Sequence, residues 1–180
     1  MRTPIWTKGY SQAELDRAQD RYGLAFPSDL TALWLEKRLV DGHDLNDEVA
    51  MRRVLAGPFE GLLFDVETCF LWWPEWGERP ASPDARAEVL RGVVAGAPKL
   101  IPLYSHRYLP AAPNKAGNPV FSIHQSDIIY YGSDLENYFE REIVDPNTPL
   151  GETIRQIPFW SELADRFGQD RWWPPSIRGN

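Results

Sequence analysis

Two carboxylates and two histidines are the residues of this sequence best suited to chemistry. The run GLLFDVETCFLWW, residues 61–73, alternates apolar with other residues, which predicts a strand with Asp65 and Glu67 on one face. Carboxylates paired in this way can serve glycoside hydrolysis or bind a metal ion. His106 and His124 could join them from neighbouring strands, as in a small metal-dependent hydrolase. A solvated strand face explains the same pair of carboxylates, and we prefer that interpretation.

Other catalytic patterns are not found in the sequence. The three histidines form no H-x-H or H-E-x-x-H pattern, and no C-x-x-C pair is present. Cys69 is the one cysteine, and its apolar surroundings are typical of a small buried residue. The sequence contains no G-x-S-x-G elbow and no glycine-rich phosphate loop. We therefore expect no catalytic residues, no metal site and no cofactor.

Tryptophan and arginine residues indicate binding instead. Trp72, Trp73 and Trp76 lie in or next to the proline-rich segment PEWGERPASP. Tryptophan and arginine dominate the hot spots of protein interfaces. Neighbouring residues of a strand face opposite ways, so we expect Trp72 or Trp73 to be partly exposed. Arg107 is a further candidate, either as a ligand contact or as an anchor for a carboxylate such as Asp127.

Composition narrows the class of protein. The 180 residues fit one domain with a core of its own, and a single cysteine excludes an internal disulfide framework. A net charge of −7 argues against a nucleic-acid binder and is compatible with a basic protein partner. The start MRTPIWTKGY has no apolar signal-peptide core, and no window approaches the ~20 apolar residues of a membrane span. We expect a cytoplasmic protein that does not bind a membrane.

The clearest elements lie in the second half of the chain. Alternation over Val120–Gln125 and a β-branched, aromatic run over Ile128–Tyr131 predict a hairpin. Ser133 and Glu136 form the S-x-x-E pattern of a capping box, which predicts a helix reaching Ile143.

The first half of the sequence predicts several helices and one interruption of helical structure. A second capping box, from Ser11 to Glu14, begins a helix that Gly23 ends, and Ser28 caps the next helix. A break is expected at Gly57-Pro58. Further helices are expected at 46–55, 84–94 and 160–167, a strand at 100–104 and a loop at 109–118. The core should span about residues 10–168, with 169–180 as a surface tail.

Three stretches resemble the SUKH superfamily, which includes Smi/Knr-type yeast cell-wall regulators and many bacterial immunity proteins. They are SHRYLP, GNPVFSIHQSDIIYYGSDLENYFERE and, in the first helices, FPSDLTALW. The resemblance implies one α+β domain with a single, mostly antiparallel sheet of about six strands flanked by helices. It also implies a protein that binds partners and has no catalytic residues.

The whole chain, residues 1–180, is thus expected to form one SUKH-like domain that neutralises a partner toxin by binding it, and a basic toxin domain is compatible with its net charge. The expected contact residues are Asp65, Glu67, Trp72, Trp73, Trp76 and Arg107. A regulatory or scaffolding module of the Smi/Knr type and a small metal-dependent hydrolase stay open as alternatives.

Overall fold

The computed structural model describes residues 4–166, which form an α+β fold. Its helices are α1 (Gln12–Tyr22), α2 (Ser28–Glu36), α3 (Glu48–Thr68), α4 (Pro83–Ala95), α5 (Leu135–Phe139) and α6 (Trp160–Arg166). Its strands are β1 (Trp6–Lys8), β2 (Lys37–Leu39), β3 (Leu100–Tyr104), β4 (Arg107–Pro110), β5 (Val120–His124) and β6 (Asp127–Gly132). A 3₁₀ turn covers Pro74–Trp76, and a π-helical turn covers Glu140–Val144.

The strands form two antiparallel sheets, so the expectation of a single sheet of about six strands is wrong. The larger sheet has the order β3-β4-β5-β6, and β1 pairs with β2 in a separate ribbon. Both strands of the ribbon have only three residues, and they pair with each other rather than with the larger sheet. The ribbon lies beside β3, where His43 N–H donates to the Leu103 carbonyl at 3.5 Å.

Buried residues pack on both faces of the larger sheet. Ile101 and Leu109 belong to a cluster formed with α1, α2, α5 and the start of α3. Tyr108, Phe121 and Ile128 belong to a second cluster, formed with the rest of α3, α4 and α6. Because successive strand residues point to opposite faces, this division follows directly from the strand sequences.

The strand predicted over residues 61–73 is wrong, because residues 48–68 form one 21-residue helix. Leu62 and Val66 lie four residues apart on one helical face, and both are fully buried. Phe64, which strand alternation would place with them, is 52% exposed. The break expected at Gly57-Pro58 is also wrong, since α3 continues through both residues.

The hairpin and the first helix agree with the sequence. Strands β5 and β6 pair with Phe121 opposite Tyr130, and Ser126 lies in the turn that joins them. The capping box of α1 is present, because Ser11 and Glu14 each accept the other's backbone N–H. Gly23 ends α1 in the left-handed conformation, with φ at 61°.

Neither of two predicted cap residues, Ser133 and Ser28, caps its helix. Asp134, and not Ser133, accepts the N–H of Asn137 and begins α5 (2.8 Å). Helix α2 likewise begins at Ser28 itself, with Pro27 before it, and has no side-chain cap. Helices α4 and α6 confirm the predictions within the described residues, and the predicted surface tail lies outside them.

Candidate partner-binding surface

Asp65 points into the molecule and ties α3 to the β5–β6 hairpin. Its carboxylate accepts the backbone N–H of Ser126 at 2.9 Å and also the Ser126 hydroxyl. The residue is 5% exposed. The side chain therefore supports the fold and does not lie on the acidic strand face that the sequence predicted.

Glu67 is bound by Arg86 of α4. The Arg86 Nε donates to one carboxylate oxygen at 2.7 Å, and a second guanidinium nitrogen donates to the other. This charged donor holds the pKa of the Glu67 carboxyl below its usual range. Arg86 also donates to the carbonyls of Pro80 and Ala81 (3.1 and 2.7 Å), so the pair fastens the loop before α4 to the end of α3.

An aromatic residue just after the end of α3 has a left-handed backbone conformation. Cys69 N–H and Leu71 N–H both donate to the carbonyl of Asp65 (2.9 and 3.1 Å), and Phe70 between them has φ 56°. The Phe70 side chain is 56% exposed. The guanidinium of Arg79 lies 5.5 Å from the centre of this ring.

The three tryptophans that the sequence singled out differ in exposure. Trp73 is 3% exposed and packs on Trp76, with ring centres 5.3 Å apart. Trp72 and Trp76 are half-buried and meet edge to face at 5.5 Å. The indole N–H of Trp72 donates to the Gly77 carbonyl at 2.8 Å. The prediction that Trp72 or Trp73 is partly exposed is therefore confirmed, although neither lies in a strand.

Helix α6 holds this tryptophan segment in place. The guanidinium of Arg166 lies 4.1 Å from the centre of the Trp73 ring. It also donates to both carboxylate oxygens of Glu75 (2.9 and 3.5 Å). This bonding lowers the pKa of the Glu75 carboxyl.

Near the end of α3 the chain carries two exposed rings, Phe64 and Phe70, and two half-buried rings, Trp72 and Trp76. We call Phe64, Phe70, Trp72 and Trp76 the aromatic surface. Sequence reasoning missed the two phenylalanines, because the strand prediction assigned them to a buried face. The spacing of Leu62 and Val66 fits a strand as well as a helix, so it did not place Phe64 outside.

Arg107 belongs to a different part of the fold. Its guanidinium lies 3.7 Å from the centre of the Tyr131 ring and donates to the Ser122 hydroxyl at 2.9 Å. It also donates to Glu142 of the π-helical turn at 3.3 Å, so the carboxylate that it anchors is Glu142 rather than Asp127. These contacts join β4, β5 and β6 to the π-helical turn.

The carboxylates and the histidines of the hydrolase alternative make separate contacts. Asp65 and Glu67 are bound by Ser126 and Arg86, as described above. The rings of His106 and His124 are 6.4 Å apart. Burial, with Arg107 as the next cause, lowers the pKa of the His106 imidazole. Within residues 4–166, no group of three His, Cys, Asp or Glu side chains could hold a metal ion.

Comparisons of the chain with protein-family models, curated proteins and solved structures found no match. The SUKH resemblance therefore rests on the sequence motifs alone. Among the described helices, none is both long enough and apolar enough to cross a membrane.

Proposed function

We propose that this protein is a non-enzymatic binding domain of the SUKH immunity type, which neutralises a partner toxin in the cytoplasm. The aromatic surface replaces the acidic strand face as the proposed contact region. The observation that carries this proposal is made at Phe70, whose side chain is exposed and whose backbone is left-handed.

Phe70 is an unfavourable residue for its position in the fold. A left-handed backbone costs roughly 1–2 kcal/mol for a residue with a side chain, and glycine ends helices this way without that cost. An exposed phenyl ring gains little from burial in the free protein. Strained residues of this kind concentrate at binding sites, because the surrounding fold holds them there for another purpose.

Neighbouring residues hold three rings of the aromatic surface in place: Phe70, Trp72 and Trp76. Arg79 lies over Phe70 and also donates to the carbonyl of Val66 at 2.8 Å. Trp73 is buried beneath Trp76, and α6 holds Trp73 through Arg166. A preorganised group of aromatic rings loses little conformational entropy on association, which favours tight binding.

The charge of the chain supports a basic partner. The net charge is −7, so long-range attraction would steer a basic toxin domain towards this protein. Contact through apolar rings would then supply the affinity, while the net negative charge sets the rate of association and its dependence on salt.

Co-purification tests this proposal. The tagged chain is expressed together with the product of the adjacent gene, and the complex is isolated by affinity and size-exclusion chromatography. We expect a stoichiometric complex with a toxin domain. A housekeeping partner would instead favour the regulatory or scaffolding alternative. Recovery of the chain alone, from this co-expression and from lysate of its source cell, would contradict a binding function.

A further inference from the structure

A cavity of about 400 Å³ opens among α1, the middle of α3, the end of α4, the start of β3 and α6. This volume is within the range of small-molecule binding sites. Its walls include Leu55, Pro58 and Phe59 of α3, Ala97 after α4, and Trp160 of α6. None of the residues of the aromatic surface lines it, so the cavity is independent of the proposed toxin contact.

The walls of the cavity offer an apolar environment. Trp160 already donates its indole N–H to the Pro98 carbonyl at 2.7 Å. The hydroxyl of Tyr22 likewise donates to the Leu45 carbonyl at 2.9 Å. Since these polar groups have partners and most of the lining is aliphatic or aromatic, the cavity suits the apolar body of a ligand.

Lys99 is the charged residue of the lining. Its ammonium group donates to the carbonyl of Gly23, at the end of α1, at 2.8 Å. An ammonium group has three donors, so two remain for other acceptors. Within residues 4–166, Lys99 forms no ion pair with a carboxylate of the protein. The lining therefore combines an apolar interior with one cation.

We propose that this cavity binds a small amphiphile with an apolar body and a carboxylate end. The body occupies the space between α3 and Trp160, and the carboxylate accepts a charge-assisted hydrogen bond from Lys99. The ligand covers apolar walls that otherwise face water. The net charge of −7 repels a free anion, so selectivity for a carboxylate has to come from Lys99 itself.

Calorimetric titration of the full chain with three eight-carbon probes tests the proposal. The probes are octanoate, octanol and octyltrimethylammonium at pH 7. We expect octanoate to bind at least tenfold more tightly than octanol, and octyltrimethylammonium to bind least. Binding of none of the probes, or equal binding of octanoate and octanol, would overturn the proposal.

Three variants test whether the probes bind in this cavity. Lys99→Met keeps the aliphatic stem and removes the charge, so it should weaken octanoate binding at least tenfold and leave octanol binding unchanged. Lys115→Met, in the loop after β4, is the matched control and should change neither. Ala97→Trp fills the cavity and should abolish binding of both probes. Thermal melting establishes that each variant is folded, and unchanged octanoate binding by folded Lys99→Met would overturn the assignment.

Discussion

The hydroxyl group of Tyr108 donates a hydrogen bond to the backbone carbonyl of Val54, 3.0 Å away. In a regular helix this carbonyl would accept the N–H of residue 58, and Pro58 has none. Gly57 leaves room for the hydroxyl, since a Cβ atom there would lie 3.3 Å from it. Strand β4 thus supplies the donor that α3 lacks, which explains how the helix continues through Gly57-Pro58.

Removal of this donor should destabilise the protein. Tyr108→Phe leaves the Val54 carbonyl without a partner, and an unpaired buried carbonyl costs about 1–3 kcal/mol. Burial raises the pKa of Tyr108 to about 12, so the wild-type hydroxyl keeps its proton at neutral pH. Urea denaturation measures the loss. In a Pro58→Ala background the restored N–H should reduce it, and an equal loss in both backgrounds would argue against this account.

The capping box of α1 should contribute to acid unfolding. Hydrogen bonds from the backbone N–H and hydroxyl of Ser11 lower the pKa of Glu14 from 4.5 to about 2. A lowered pKa stabilises the folded state above about pH 4.5, and this contribution is lost as the pH falls towards 2. Glu14→Gln should therefore show a smaller difference in unfolding free energy between pH 6 and pH 3. Glu60→Gln, at an exposed carboxylate of α3, is the control variant, and a slope unchanged by Glu14→Gln would contradict the role of the box.

Asp65 should matter for stability and not for partner contact. Asp65→Ala removes the acceptor of two donors of Ser126, and loss of hydrogen bonds to a charged group costs about 1.5–3 kcal/mol. Asp65→Asn keeps one acceptor oxygen and should cost less. Chemical denaturation gives both values. If folded Asp65→Ala lost affinity for the partner while the protein kept its stability, the buried placement of this carboxylate would be wrong.

We expect Phe70 to destabilise the protein in its unbound state. Phe70→Gly relieves the left-handed backbone, which can add about 1 kcal/mol to the free energy of unfolding. Phe70→Val keeps the strain and removes the ring, so it should lower the melting temperature relative to Phe70→Gly. Thermal denaturation of the two variants and the wild type compares them. A Phe70→Gly variant less stable than the wild type would show that the ring is needed for folding.

The sequence predicted those elements whose signals are local. The β5–β6 hairpin and α1 follow from alternation, turn residues and a capping box, all of them read within a few neighbouring positions. The sequence did not predict α3 for two reasons. The spacing of Leu62 and Val66 fits a strand as well as a helix. The hydrogen-bond donor that lets the helix continue through Pro58 comes from β4, which is distant in the sequence. The division into two sheets depends on pairing between distant strands, which local patterns do not contain.

The candidate site was predicted in part for the same reasons. The partial exposure of Trp72 or Trp73 was predicted because neighbouring residues of a strand face opposite ways, although these two residues do not form a strand. Phe64 and Phe70 were missed, since their exposure depends on the helical state of α3 and on a left-handed residue at its end. The partners of Glu67 and Arg107 are 19 and 35 residues away in the chain, so sequence spacing does not reveal them.

The measurement that tests the central claim most directly is the partner's dissociation constant for Phe70→Gly, by isothermal titration calorimetry. The surface account predicts at least tenfold weaker binding, about 1.4 kcal/mol, in a variant that is no less stable than the wild type. Val49→Ala, which truncates an exposed apolar side chain at the other end of α3, is the matched control and should bind normally. Equal affinity of Phe70→Gly and wild type would contradict the aromatic surface as the contact region.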